Sequence, residues 1–148
     1  MSVGPGATGT TTMQVSSPAG AADGFYPVNV SASNGSSSAS SAVTYALVSS
    51  LGFTVTSKQS SYTRTQTITV NATVNVAGST VAGVPVTFTM TKSNGVIVTS
   101  TVTTGATGVA VFKYSLNRKK DPTGSYQVTA RATMNAVSGS GSVSFTVK

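Results

Sequence analysis

Of the side chains that proteins use to move protons, this 148-residue sequence keeps little besides lysine. There is no His, Cys, Glu or Trp, and the two carboxylates, Asp23 and Asp121, lie far apart in the chain. General acid–base work needs a group that titrates near neutral pH, and a nucleophilic Ser or Thr needs a base beside it. With 24 Ser and 25 Thr against Lys58, Lys92, Lys113, Lys119, Lys120 and Lys148, a Ser–Lys pair is the one catalytic arrangement that composition allows. Such a pair also needs a strained nucleophile turn and oxyanion donors, which no segment offers. Zinc wants His and Cys, and calcium wants several carboxylate oxygens. No G-x-G-x-x-G or G-x-x-x-x-G-K-[ST] run opens a helix to cradle a phosphate. The expectation is a chain with no catalytic residue, no metal and no cofactor.

Binding is the chemistry left. Nine basic residues against two acidic ones give a net charge of +7, yet only 7% of residues are charged. The excess therefore comes from missing acids more than from abundant cations, and no nucleic-acid partner is expected. The one basic cluster, Arg118-Lys119-Lys120, falls in an expected loop: either a solvated turn or a contact for a glycan, phosphate or cell wall. Of the ten aromatics, Phe88, Phe112, Tyr114, Tyr126 and Phe145 fall in an inward register. Tyr62, in an expected loop, and Phe25, out of register with Tyr26, are the candidates for exposed rings that could meet a ligand. The Asn-x-Ser/Thr triplets at Asn29, Asn34 and Asn71 are acceptor sequences only in a host that glycosylates them.

The elements that would position these residues are strands. Valine occurs 22 times against three Leu and two Ile, and β-branched side chains suit a pleated surface. Between residues 53 and 147, seven segments alternate apolar and polar positions, separated by turn residues. They carry Phe53 and Val55; Ile68 to Val76; Val86, Phe88 and Met90; Val96, Val98 and Val102; Ala110 to Leu116; Tyr126 to Ala132; and Val143 to Val147. Apolar residues at every second position bury one face of each strand, and seven such strands make an immunoglobulin-like sandwich. No window has a 3.6-residue apolar period, so no substantial helix is expected.

Residues 1–50 repeat only part of this plan. Gly24, Tyr26, Val28 and Val30 echo Gly124, Tyr126, Val128 and Ala130, the entry to the sixth strand, where a Tyr hydroxyl can pin a corner. One strand is expected ahead of it, around Thr11 to Ser17 with Met13 and Val15 inward, and one after it, with Val43, Tyr45 and Leu47 inward. The sequence thus divides into a three-stranded partial Ig-like domain over 1–50 and a complete seven-stranded one over 51–148. Ser49-Ser50-Leu51-Gly52 is the junction, short enough to limit interdomain freedom. Three strands leave an apolar face and a backbone edge in water, an invitation to dimers, swapped oligomers or fibres, because Asp23 is the one charge from Thr8 to Leu47.

Gly4-Pro5-Gly6-Ala7 and the run from Ser17 to Val28 resemble the second half of the alpha-galactosidase-associated Ig-like domain found beside bacterial secreted peptidases and glycosidases. Val81 to Phe88, Thr104 to Ala110 and Asp121 to Tyr126 resemble a bacterial Ig-like domain of the type found at the C-termini of such proteins. The resemblance covers nearly the whole chain, and its motifs are turn and corner residues that speak of fold. It implies a secreted or cell-surface accessory, spacer or adhesive module. No apolar stretch is long enough to span a membrane, and Met1 to Pro5 do not open a signal peptide, so Met1 reads as a cut within a longer polypeptide. Some bacterial Ig-like domains cross-link Lys to Asn or Asp with the help of a buried acid. Without Glu, and with both Asp residues in expected corner turns, no such bond is expected here. Three functions follow: a structural spacer, a self-assembling module that recruits strands, or a carbohydrate- or cell-wall-binding module using Phe25, Tyr62 and Arg118 to Lys120.

Overall fold

The computed structural model describes residues 8–34 and 36–148, so Met1 and the Gly4-Pro5-Gly6-Ala7 motif lie outside the described residues. Every alternating segment expected between residues 53 and 147 forms a strand. In chain order they are β1 (Gly24–Ser33), β2 (Ser38–Leu47), β3 (Gly52–Ser57), β4 (Ser61–Tyr62), β5 (Thr67–Val76), β6 (Ser79–Thr80), β7 (Pro85–Thr91), β8 (Ile97–Thr103), β9 (Val109–Ser115), β10 (Gly124–Met134) and β11 (Val137–Val147). There is no helix among the described residues, and so none long and apolar enough to cross a membrane.

Residues 52–147 make a two-sheet sandwich of the immunoglobulin-like class. One sheet runs β4-β11-β10-β7-β8. In the other, β5 is central, with β3 on one side and β9 and the short β6 on the opposite side. Central strands bury their inward residues fully: Ile68, Val70, Ala72, Val74 and Val76 of β5 are sealed, as are Val86, Phe88 and Met90 of β7. Edge strands lack a neighbour on one side, so Phe53 and Val55 of β3 and Val98 and Val102 of β8 are only half-buried. Val96, expected inward, is exposed instead. It precedes β8 in the turn whose Lys92 N–H donates to the Val96 carbonyl, beyond the reach of the facing sheet.

The path of the chain through this sandwich matters for function. Gly139 and Gly141 of β11 lie against Leu51, Phe53 and Val55, where a Cβ on either glycine would approach a side-chain carbon to 2.9 Å. The chain therefore enters beside the β10–β11 turn. It leaves at the opposite end, where Val147 is opposite Gly124 and next to Tyr62. Entry and exit are separated by the length of β11, roughly 35 Å at the usual rise per residue.

Ahead of the sandwich, β1 and β2 form an antiparallel hairpin by themselves. Its register copies that of β10 and β11: Gly24 pairs with Leu47 and Tyr26 with Tyr45, as Gly124 pairs with Val147 and Tyr126 with Phe145. The hairpin thus repeats the pairing of the last two strands of the sandwich. In the sandwich β10 also pairs with β7, whereas among the described residues β1 pairs with β2 alone. Val30 and Val43 are left 45% and 62% exposed, which shows how little covers this face.

The strand expected around Thr11 to Ser17 does not form, so the first fifty residues hold two strands rather than three among the described residues. Pro18 lacks an N–H for a ladder, and the chain turns here, with Ala21 N–H donating to the Pro18 carbonyl and Gly20 at φ 82°. Met13 and Val15 are exposed accordingly. Val15 borders an open apolar groove of about 360 Å³ against Val28, Tyr45 and Leu47.

The junction is held by specific bonds. Asp23 accepts the Ser49 N–H at 2.7 Å and the Ser50 N–H at 3.1 Å, and the Ser49 bond leads in holding its carboxyl below the ordinary value. Asn135, in the β10–β11 turn, donates its side-chain amide to the Ala46 carbonyl at 3.0 Å.

Candidate functional site

The inward register of β7, Val86-Phe88-Met90, continues into Lys92, so alternation carries an ammonium toward the core. It meets the Asp121 carboxylate at 2.6 Å, and both side chains are buried. Tyr114 joins them: its hydroxyl accepts from Lys92 Nζ at 2.9 Å and donates to Asp121 Oδ1 at 3.0 Å. The second carboxylate oxygen accepts the Asn117 N–H at 2.7 Å. Burial alone would push the Asp121 carboxyl up. The Lys92 and Asn117 bonds, the Tyr114 bond and the Lys92 charge outweigh it and hold the carboxyl below its ordinary value. Burial likewise opposes the charge on Lys92, but its bonds to Asp121 and Tyr114 raise it overall.

Both partners are therefore held charged, which leaves Lys92 without the free amine that a Ser–Lys pair would need. A lysine base must be neutral, and Lys92 is kept as ammonium. Condensing it with Asp121 into an amide, with loss of water, would need a neutral amine, a neutral acid and a further acid to pass protons. The remaining carboxylate in the sequence, Asp23, is at the junction in the other unit. The pair is an ion bridge that ties the end of β7 to the corner before β10. No group of three or more His, Cys, Asp or Glu side chains gathers among the described residues.

That corner carries the paired tyrosines. Tyr126 is fully buried and donates its hydroxyl to the Pro122 carbonyl at 2.9 Å; burial pushes its phenol up. Tyr26 makes the same bond, to the Ala22 carbonyl at 2.7 Å, with a ring 42% exposed because no second sheet faces it among the described residues.

The candidate ligand contacts scatter. Phe25 is exposed on the hairpin. Tyr62 does not sit in a loop with its ring outward. It is 1% exposed, edge-on to Phe145 with ring centroids 5.1 Å apart. Its hydroxyl lies 2.9 Å from Ser57 Oγ and accepts the Gln59 N–H. The reason is β4: pairing of Ser61 and Tyr62 with Thr146 and Val147 turns the ring into the core. Arg118, Lys119 and Lys120 do lie in an exposed loop, folded by Asp121 and Lys120 N–H bonds to the Asn117 carbonyl.

Sequence spacing did not reveal the residues that gather around this loop. Arg64, from the β4–β5 connection, points its guanidinium at the Arg118 carbonyl at 3.4 Å, and Asn94 comes from the β7–β8 turn. Together with Arg118 to Pro122 they line an open, shallow pocket of about 230 Å³. The Lys92–Asp121 bridge, by contrast, had a legible signal in a lysine that continues a run of inward apolar residues.

No protein-family model and no curated protein matches the sequence. Solved structures do. One is a tetra-tandem repeat in the extending region of a large adhesion protein, 27% identical, with a TM-score of 0.51 over 84% of this chain and 32% of that chain. Another is an amphioxus IgVJ-C2 molecule, 21% identical, with a TM-score of 0.38 over 84% of this chain and 60% of that one. The chain thus spans about a third of the length of the adhesion-protein structure it matches. The class that fold and likeness define is an immunoglobulin-like β-sandwich, of the kind that serves as a structural or adhesion module.

Proposed function

We propose that this chain is a non-catalytic, extracellular spacer module of a larger secreted or surface protein, in which Ig-like units follow one another head to tail. The observation that carries this reading is the path of the chain: it enters the complete sandwich at one end and leaves at the other. Each unit then adds its full length to a stalk. The copied hairpin register supports it, because two successive units of one plan are what a tandem array contains. So does the likeness to a repeat from the extending region of an adhesion protein. The bonds from Asp23 and Asn135 would keep neighbouring units aligned. Bacterial Ig-like domains beside secreted peptidases and glycosidases, which the sequence resembles, are the corresponding setting.

The test is small-angle scattering on proteins made of one, two and three head-to-tail copies of residues 23–148. A spacer predicts that the maximum dimension grows in near-equal steps of at least about 35 Å. A maximum dimension that rises only as the cube root of mass would mean that the units collapse on one another, and the reading would fail.

A second reading, self-assembly, is favoured by one observation: Val30 and Val43 on the apolar hairpin face are left largely exposed among the described residues. Light scattering across a concentration series should then show association of the full chain and none after Val30→Ser/Val43→Ser. A monomeric full chain would refute it.

A further inference from the structure

In residues 51–148 the charged side chains left on the surface are all of one sign. Lys92 and Asp121 neutralise each other inside the sandwich. What remains on the surface of residues 51–148 is Lys58, Arg64, Lys113, Arg118, Lys119, Lys120, Arg131 and Lys148, with no side-chain carboxylate to answer them. Half of these eight cations stand around the pocket at the exit end, although they come from two separate connections. The acid among the lining residues, Asp121, is buried and paired with Lys92, so no exposed acidic side chain screens the loop.

From this we propose that the exit-end pocket binds a polyanionic glycan strand through its carboxylate or phosphate groups. Arg64 and Arg118 would present planar guanidinium forks suited to bidentate contact with either group. Lys119 and Lys120 add point charge along the same rim, and the Asn94 amide offers a donor and an acceptor for sugar hydroxyls. The loop is formed before any ligand arrives: the Asn117 side chain accepts the Lys119 N–H at 2.9 Å, and Arg64 is seated against the Arg118 carbonyl. A prefolded loop loses little freedom on binding. The pocket is open and shallow, which fits a strand lying across it better than a small ligand enclosed within. This site is independent of the spacer reading, since a module could extend a stalk without touching any glycan.

Titration calorimetry on the full chain tests it, with polygalacturonate as the carboxylated probe, inorganic polyphosphate as the phosphorylated probe and dextran as the neutral control. Binding of either polyanion at about 50 mM salt is expected, weakening steeply by about 200 mM as screening grows. The probe that binds more tightly identifies the anionic group. Arg64→Gln/Arg118→Gln should weaken binding by about tenfold or more. Lys113→Gln/Arg131→Gln removes the same charge elsewhere and should change it by less than about twofold. Amide shifts on titration should centre on Asn94, Asn117 and Lys119, and the melting curve of each variant should match the parent. Four results would overturn the proposal: no binding of either polyanion at the lower salt, equal binding of dextran, equal losses in both double variants, or tighter binding of duplex DNA than of either probe.

Discussion

Replacing Lys92 by Met removes one side of a buried ion pair while keeping most of its apolar stem. Asp121 would then keep its bonds from Tyr114 and the Asn117 N–H but lose the only opposite charge in contact with it. Leaving a buried charge without its partner costs about 3–5 kcal/mol. Small domains have only about 5–15 kcal/mol in total, and each kcal/mol moves the midpoint of a domain this size by about 4–8 °C. Lys92→Met should therefore lower the melting temperature by at least about 12 °C, followed by circular dichroism and checked by urea denaturation. Asp121→Asn should cost a similar amount. The combined Lys92→Met/Asp121→Asn removes both charges yet keeps an acceptor for Asn117, so it should be milder than Asp121→Asn alone by about 1–2 kcal/mol. The exposed Lys58→Met serves as control. A Lys92→Met variant no less stable than that control would refute the reasoning that this pair ties β7 to the corner.

The same pair sets a pH profile. The folded Asp121 is held below its ordinary value, so its contribution is present above about pH 4 and is lost as pH falls through the folded value. Lys92 is held above its ordinary value, so its contribution is present below about pH 10 and is lost as pH rises through the folded value. Between these limits stability should be flat, and the combined variant should lack both contributions.

Two further outcomes follow from single bonds. Tyr126→Phe should weaken the protein by about 1–2 kcal/mol in urea denaturation, because it orphans the Pro122 carbonyl at a buried corner, whereas Tyr26→Phe, at an exposed ring, should cost under about 0.5 kcal/mol. Thr104→Val should cost about 2–4 kcal/mol despite its matching shape, since the buried hydroxyl accepts the Val84 N–H and donates to the Val81 carbonyl; Thr101→Val, at an exposed cross-strand pair, should be near neutral in the same assay.

Strands were legible in the sequence because burial of one sheet face imposes a period of two on neighbouring residues. Val70, Ala72 and Val74 announce β5 without any knowledge of what lies opposite. The repeated corner was legible for the same local reason, since Gly24 and Tyr26 stand to β1 as Gly124 and Tyr126 stand to β10. The near-absence of groups that titrate near neutral pH needed composition alone.

Where local pattern gave out, partners distant in sequence decided. Tyr62 follows a polar run and reads as a loop residue; only its pairing beside Val147 turns the ring inward. Met13 and Val15 alternate like strand residues, but a strand needs a partner in the ladder, and these residues pair with no strand. The Lys92–Asp121 bridge, and the meeting of Arg64 and Asn94 with Arg118 to Lys120, join segments from different strand connections. Alternation along one segment determines which face is buried. Which charges then meet is decided by how the two sheets and their end loops come together, because contacts across a sandwich link residues that no local period relates.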